Sequence, residues 1–169
     1  MFKNFPYLYE GSIEYEKQYL DTYFESSNNI ILLIFDKDKV VGLSNSIPLE
    51  EEIQEIKEPF IKNKIDIKKY IYIGEIMILP EYRIKNLFNK ISDYHEQHAK
   101  LQKYSNIIFM TVIRSHNHPL QPKSYRSLDI LWKSIGYHIL NNIKVNLSWK
   151  QVDTKQIEEN QLEVWSKKI

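Results

Sequence analysis

Two dense apolar segments separated by one amphipathic stretch constrain this chain more than any other feature. Tyr70 to Leu79 (YIYIGEIMIL) is rich in β-branched and aromatic residues and stops at Pro80, as a buried strand does. Asn106 to Arg114 reads as a second buried strand. Between them, Asn86 to Lys103 sets Leu87, Ile91, Tyr94 or His95, and His98 along one helical face. Two strands of one sheet joined by a helix need a crossover. The strands around Ile73 and Ile108 are therefore expected to be parallel neighbours that splay apart at their ends.

The remaining segments surround this unit. A short strand is expected at Tyr7 to Tyr9, followed by a helix over Ile13 to Ser26 with Ile13, Tyr19 (or Leu20) and Tyr23 or Phe24 on one side. Asn29 to Leu49 reads as two β-runs joined at Asp36-Lys37-Asp38-Lys39. The first run is apolar on both faces, as in a central strand, and the second, Val40 to Ile47, is more polar. Glu50 to Lys64 is amphipathic, with Ile53, Ile56 and Phe60 at helical spacing and Pro59 expected to break or kink it. Ser127 to Ile135 should be a helix closed by Gly136 in a left-handed cap. Strands are expected at Tyr137 to Leu140, Ile143 to Gln151 and Leu162 to Lys167. This order predicts a mixed α/β layer fold, with helices covering a mostly antiparallel sheet. It lacks the steady alternation of a doubly wound nucleotide fold.

Composition narrows the function. The chain has 169 residues without repeats or low-complexity linkers, which suits one domain over 1–169. With 23 basic and 22 acidic residues, the net charge of +1 gives no electrostatic case for nucleic acid or an anionic membrane. Its apolar runs are strand-length, and no early segment resembles a secretory signal. Zero cysteines exclude disulfides, thiolate metal sites and a cysteine-bound acyl intermediate, and they suit a cytoplasmic protein. There is neither a Gly-x-Ser-x-Gly elbow nor a Walker-type glycine loop, which argues against hydrolase and NTPase chemistry.

After the strand at Leu79, a short loop carries Arg83 and Lys85 into a helix that begins near Asn86. Unpaired backbone N–H groups and a positive helix end beside two cations can hold a pyrophosphate. The pattern alone is a weak signal, because many strand-loop-helix turns carry an arginine.

In this segment the sequence resembles the GNAT superfamily of acyl-CoA-dependent N-acyltransferases. The family marks the loop with Arg/Gln-x-x-Gly-x-Gly/Ala after a strand that ends in a proline-containing turn. LPEYRIKNLF fits that frame through Pro80, Tyr82, Arg83 and Lys85. RSHNHPLQPKSYRSLDILWKSIGY is close to a segment of a bacterial subgroup, with Trp132, Gly136 and Tyr137 in a Tyr-x-x-x-Gly-Phe-like signature. The order of elements matches over roughly residues 5 to 150.

The resemblance implies acetyl-CoA as acyl donor, an amine on a small molecule or peptide as acceptor, no metal, and a homodimer among the possible assemblies. It also implies that the backbone of Ile84, Lys85, Asn86, Leu87 and Phe88, with the Arg83 and Lys85 side chains, faces the CoA pyrophosphate. Ile78 and Leu79 would pair with the pantetheine arm, with Asn117 and Trp132 completing the cofactor side. Asn86 and Phe88 stand where the family carries glycines. Asn86 can cap a helix, whereas Phe88 would either crowd a pyrophosphate or turn inward and pack the helix on the sheet.

For the chemistry, an amine must lose a proton as it attacks a thioester. Glu75 is the one ionisable acid of the central strand. It reads as a general base or ammonium anchor, or alternatively as a partner for a lysine or arginine on a neighbouring strand. His116 is a secondary base candidate. His116-x-His118 has metal-like spacing without a third ligand placed by sequence. In the family a tyrosine often protonates the departing thiolate, and Trp132 occupies that position here. Tyr125 is the replacement candidate, or else a packing residue. His95 and His98 are expected at the polar-apolar border of their helix, and His138 in a structural role. The chain then reads as an N-acetyltransferase, or as a catalytically weak module of the same fold that senses acyl-CoA or binds a partner.

Overall fold

The computed structural model describes residues 2–83 and 85–169, with side chains for all of these except Lys85 and Asn86. Among the described residues, four α-helices and six strands alternate irregularly: α1 (Ile13–Glu25), β1 (Ile30–Asp36), β2 (Lys39–Pro48), α2 (Gln54–Lys62), β3 (Tyr70–Ile78), α3 (Lys85–Leu101), β4 (Asn106–Val112), α4 (Asp129–Ser134), β5 (His138–Lys150) and β6 (Ile157–Lys168). The strands form one sheet in the order β1-β2-β3-β4-β6-β5. Every neighbouring pair is antiparallel except β3 and β4, which are parallel as the crossover requires.

The helices sort the core into two layers. Tyr72, Ile108, Met110 and Val164 face Ile56 and Phe60 of α2. Alternate residues of the same strands, Ile71, Ile107, Phe109 and Trp165, face Ala99 of α3 and Trp132 of α4. Among the described residues, no helix is long and apolar enough to cross a membrane.

Local chemistry sets several boundaries. Ser12 caps α1 by accepting from the Tyr15 N–H at 3.1 Å, and Glu14 and Glu16 lie in the positive first turn. Gly136 ends α4 with a φ of 94°, which a residue with a Cβ adopts poorly.

Several sequence expectations are corrected. Tyr7 to Tyr9 is not a strand; it forms the single bridge Tyr9 to Gln151. β1 lies at the edge of the sheet, not the centre, with Leu33 51% and Phe35 56% exposed. The polar β2 lies inside, and Ser44, Asn45 and Ser46 are fully buried. Pro59 sits within α2 without ending it. The segments 137–140 and 143–151 belong to one strand, β5, with an irregularity between Ile139 and Lys144. On α1, Tyr23 is buried while Ile13 and Phe24 face solvent.

β3 is itself irregular midway along β2. Asn45 pairs with Glu75 and Ser46 with Ile73, so Gly74 is an extra residue in β3, a β-bulge. The hydroxyl of Tyr23 presses on this glycine, and a Cβ there would lie 1.8 Å from it. Gly74→Ala is therefore expected to destabilise the chain by about 1–3 kcal/mol, the usual cost of forcing extra carbon into a packed site. Urea denaturation measures this, and an unchanged midpoint would contradict the close approach.

Candidate active site

β3 and β4 pair at only three positions, Tyr70 with Asn106, Ile71 with Ile107 and Tyr72 with Ile108. Beyond these, β3 stays with β2 as far as Ile78, and β4 stays with β6 as far as Val112. The two strands therefore part in the middle of the sheet. Leu79 donates its N–H to Val41 on the β2 side, at 2.9 Å. Backbone alternation accordingly turns the polar groups of Ile76 and Ile78 towards the gap. The carbonyl of Ile78 accepts from Arg83 Nε at 2.9 Å, which ties the loop after β3 to the strand end.

Glu75 sits on β3 just after the bulge. Its N–H donates to Asn45 Oδ1 and its carbonyl accepts from Ser44 Oγ, both at 2.9 Å. The carboxylate is half-buried and makes no ion pair among the described residues, so the alternative of a lysine or arginine partner is not realised. Burial, and then the charge of Glu16, push its carboxyl up to about 7. A carboxylate tuned to neutrality can take a proton and release it at neutral pH.

Tyr7, Tyr9, Tyr19 and Tyr72 lie within electrostatic reach of this carboxylate. The Tyr7 hydroxyl lies 3.5 Å from the Met110 carbonyl on β4. It is pushed up to about 12 by burial, then by Tyr125 and by Glu75. Tyr125 is half-buried and packs edge-on against Phe5 with ring centroids 4.7 Å apart. Burial and Asp129 raise its hydroxyl above the ordinary range, which keeps the proton on it. On the α1 side, Tyr19 and Tyr23 share a hydrogen bond of 2.7 Å, and Tyr23 donates to the buried Glu52 at 2.9 Å. Burial holds both tyrosines well above the ordinary range and raises Glu52 as well.

Sequence reasoning assigned no role to Tyr7. Its carbonyl accepts from Arg114 Nη2 at 2.8 Å and from Trp149 Nε1 at 3.2 Å, while Arg114 Nε donates to the Pro6 carbonyl at 2.7 Å. These bonds fold the N-terminal segment over the end of β4. They span more than a hundred residues of chain, beyond the reach of any local pattern.

The other candidates divide. Phe88 turns inward, its ring edge-on to Trp132 at 4.3 Å, so it packs the helix on the sheet. Trp132 is 6% exposed and also touches Phe109, which makes it a core residue of the α3 and α4 layer. Ile78 is buried, and Leu79 and Leu87 are half-buried. Ile84 and the side chains of Lys85 and Asn86 lie outside the described residues. His116 and Asn117 are exposed in a turn after β4. His118 instead accepts from the Leu120 N–H at 3.2 Å, with Nε2 3.9 Å from Asp153. Among the described residues, no three histidines or acids converge as metal ligands would. His95 is not at a helix border; it is fully buried between Ser44 and Ser46.

The chain has the fold of the GCN5-related N-acetyltransferases, a sheet that opens between two parallel strands. It superposes on an IAA acetyltransferase from Bacillus cereus with a TM-score of 0.56 and 12% identity, covering 96% of this chain and 88% of that one. A ribosomal-protein-alanine N-acetyltransferase from Brucella melitensis gives 0.58 and 12%, over 94% and 80% of the two chains. A GNAT family acetyltransferase from Elizabethkingia anophelis with acetyl-CoA bound gives 0.56 and 13%, over 96% and 86%. No protein-family model and no curated protein sequence matches the chain.

The raised carboxyl of Glu75 has a thermodynamic signature. The folded chain holds this proton more tightly than the unfolded chain does. The group's contribution to stability is thus complete below the ordinary carboxylate range and is lost as pH rises through about 7. Glu75→Gln abolishes that loss. The stability of the variant relative to the unchanged chain should grow between about pH 5 and about pH 8. Urea titrations at several pH values measure the difference, and a flat profile would contradict the raised carboxyl.

Proposed function

We propose that this chain is an acyl-CoA-dependent N-acetyltransferase, one domain over residues 1–169, that passes an acetyl group directly from acetyl-CoA to an amine. The observation that carries the reading is Glu75, a carboxylate tuned to neutrality beside the gap between β3 and β4. The chain's own residues fit the donor. The gap offers strand groups to an extended thioester arm, and Arg83 is fixed at its mouth by Ile78. The inward turn of Phe88 takes its ring away from the crowding that the missing glycine raised. The solved structures with the same fold include an aminoglycoside 6'-N-acetyltransferase complexed with coenzyme A.

Acetyl-CoA, when bound, supplies the activated acyl group. Glu75 accepts the proton of the incoming ammonium, directly or through water, so that nitrogen becomes nucleophilic. Backbone N–H groups in the gap donate to the acyl oxygen. The Tyr125 hydroxyl, held in its protonated form, donates to the departing sulfur. No cysteine exists to hold the acyl group, so transfer is direct. The acceptor is an amine on a small molecule or peptide, and the carboxylates of Glu16 and Glu75 among tyrosines favour one that arrives as a cation. The lack of cysteines suits work in the cytoplasm.

Calorimetry with acetyl-CoA, paired with a broad amine screen, tests the proposal. Arg83→Ala should weaken CoA binding by about 1.5–3 kcal/mol, as expected for a charged hydrogen bond. Failure of the unchanged chain to bind acetyl-CoA would overturn the reading. Tight binding with no amine ever acetylated would favour an acyl-CoA sensor. Glu75→Gln should keep CoA affinity and lower turnover about 10²–10⁴-fold near neutrality, with a smaller loss at high pH where the amine is already deprotonated. Full activity of this variant would remove Glu75 from the role of base. Tyr125→Phe should slow turnover without weakening acceptor binding, and a silent substitution would return Tyr125 to packing.

A further inference from the structure

β2 carries Ser44 and Ser46 on the face covered by α3, and α3 places His95 between them with no exposed surface on any of the three. His95 Nε2 is 2.7 Å from Ser44 Oγ, and Nδ1 is 3.0 Å from Ser46 Oγ. Buried polar groups of this kind are retained when each has a partner, and the donor count here decides which way the bonds run. The Glu75 carbonyl can only accept, so the single proton of Ser44 goes to it. Ser44 oxygen must then accept from His95, which puts the imidazole proton on Nε2. The lone pair of Nδ1 is left to accept from Ser46. With the proton on Nδ1 instead, Nε2 and the Glu75 carbonyl would compete for one Ser44 proton. Burial pushes the imidazole down to about 3, so a second proton does not disturb the chain of bonds.

We infer that Ser46, His95 and Ser44 form a positioning relay that holds the main chain of Glu75, and with it the direction in which its carboxylate meets the gap. At the bulge, the Glu75 N–H and carbonyl both end on β2 side chains, Asn45 Oδ1 and Ser44 Oγ. A strand residue held by side chains takes its orientation from whatever orients those side chains. For Ser44 that is His95, carried on the helix that follows the Arg83 loop. The relay thereby keeps α3 in register with Glu75. Glu75 acts as base only under the acetyltransferase reading, whereas the relay is a property of the free chain.

The experiment begins with that free chain. Nitrogen-15 NMR of the unchanged full-length protein should show His95 as a single tautomer, protonated on Nε2 and not titrating between about pH 8 and about pH 5. In Ser44→Ala the Glu75 carboxyl, followed by carbon-13 NMR, should move its midpoint towards the ordinary carboxylate range by about half a pH unit or more. Ser44→Thr keeps the hydroxyl and should leave the midpoint in place. With acetyl-CoA and a simple triamine as probe, Ser44→Ala should lower kcat about 10- to 100-fold with KM for acetyl-CoA unchanged. Added to Glu75→Gln, it should lower kcat no further. A proton on Nδ1, a His95 that titrates in the ordinary range, or a Glu75 midpoint indifferent to Ser44→Ala would overturn the relay. If Ser44→Ala fails to fold, the tautomer of the unchanged chain still decides. If the triamine is never acetylated while both NMR results hold, the relay stands and the acetyltransferase reading is what fails.

Discussion

β3 is held along most of its length by β2 and at only three positions by β4, and the candidate site follows from that asymmetry. A parallel pair that ran on would use the outward groups of Ile76 and Ile78 in a ladder and leave nothing to bind. Here β4 keeps only its other edge paired, with β6 through seven positions. The N–H and C=O groups on the inner edges of the gap are left in the interior of the sheet, where an unmet hydrogen bond is costly. An extended ligand with alternating polar atoms can satisfy them. Arg83 already does so for the carbonyl of Ile78, which shows that a side chain can reach the strand end.

The opening also changes what β2 must do. Beside the bulge at Gly74, side chains take over bonding that a regular ladder would provide, and this is why β2 carries Ser44, Asn45 and Ser46 in its buried stretch. Ser44 and Ser46 are matched through His95 on one face, and Asn45 Oδ1 accepts from the Glu75 backbone on the other, while Asn45 Nδ2 stays buried without a partner among the described residues. Tyr23 closes the arrangement from the α1 side, its hydroxyl resting where a side chain on residue 74 would stand. α1, β2, β3 and α3 thus meet around two residues, Gly74 and Glu75.

This junction explains which parts were legible in the sequence. The crossover from β3 through α3 to β4 could be read because dense apolar runs and a helical repeat are local patterns. The left-handed stop at Gly136 and the singular acid at Glu75 were legible for similar reasons. The places of β1 and β2 were not. Periodicity reports how apolar a strand is, whereas edge or centre depends on which strands lie beside it, and β1 keeps two large apolar side chains at a solvent-facing edge. β2 reads only as the more polar run, yet it lies inside the sheet, where Ser44, Ser46 and Asn45 Oδ1 bond to His95 and the Glu75 backbone. The depth of His95 was hidden for the same reason, since its partners lie about fifty residues earlier. Tyr7 was invisible as a site residue because Arg114 and Trp149 bring it there from the far side of the chain.

Under the proposed function, the electrostatics of Glu75 bear on how a carboxylate could deprotonate an amine at all. An alkyl ammonium like that of lysine titrates near 10.4 in water, about three units above Glu75, so the transfer is uphill if both groups keep those values. The site works against that gap from both ends. Burial and Glu16 already lift the carboxyl, because both oppose a negative charge. The desolvation that raises an acid lowers an ammonium, so an acceptor that seats itself beside Glu75 loses part of its own hold on the proton. An ammonium and a carboxylate in contact attract one another, which stabilises the charged pair on arrival and favours binding. Excluding water then tips the balance towards the neutral amine and the neutral acid, since two uncharged groups lose less on leaving solvent than an ion pair does. Tyr7 and Tyr19, within electrostatic reach of the carboxylate, remain protonated throughout and add no charge. A half-buried acid with no fixed cation beside it among the described residues is therefore poorly suited to structural pairing and well suited to proton exchange with a cation that comes and goes.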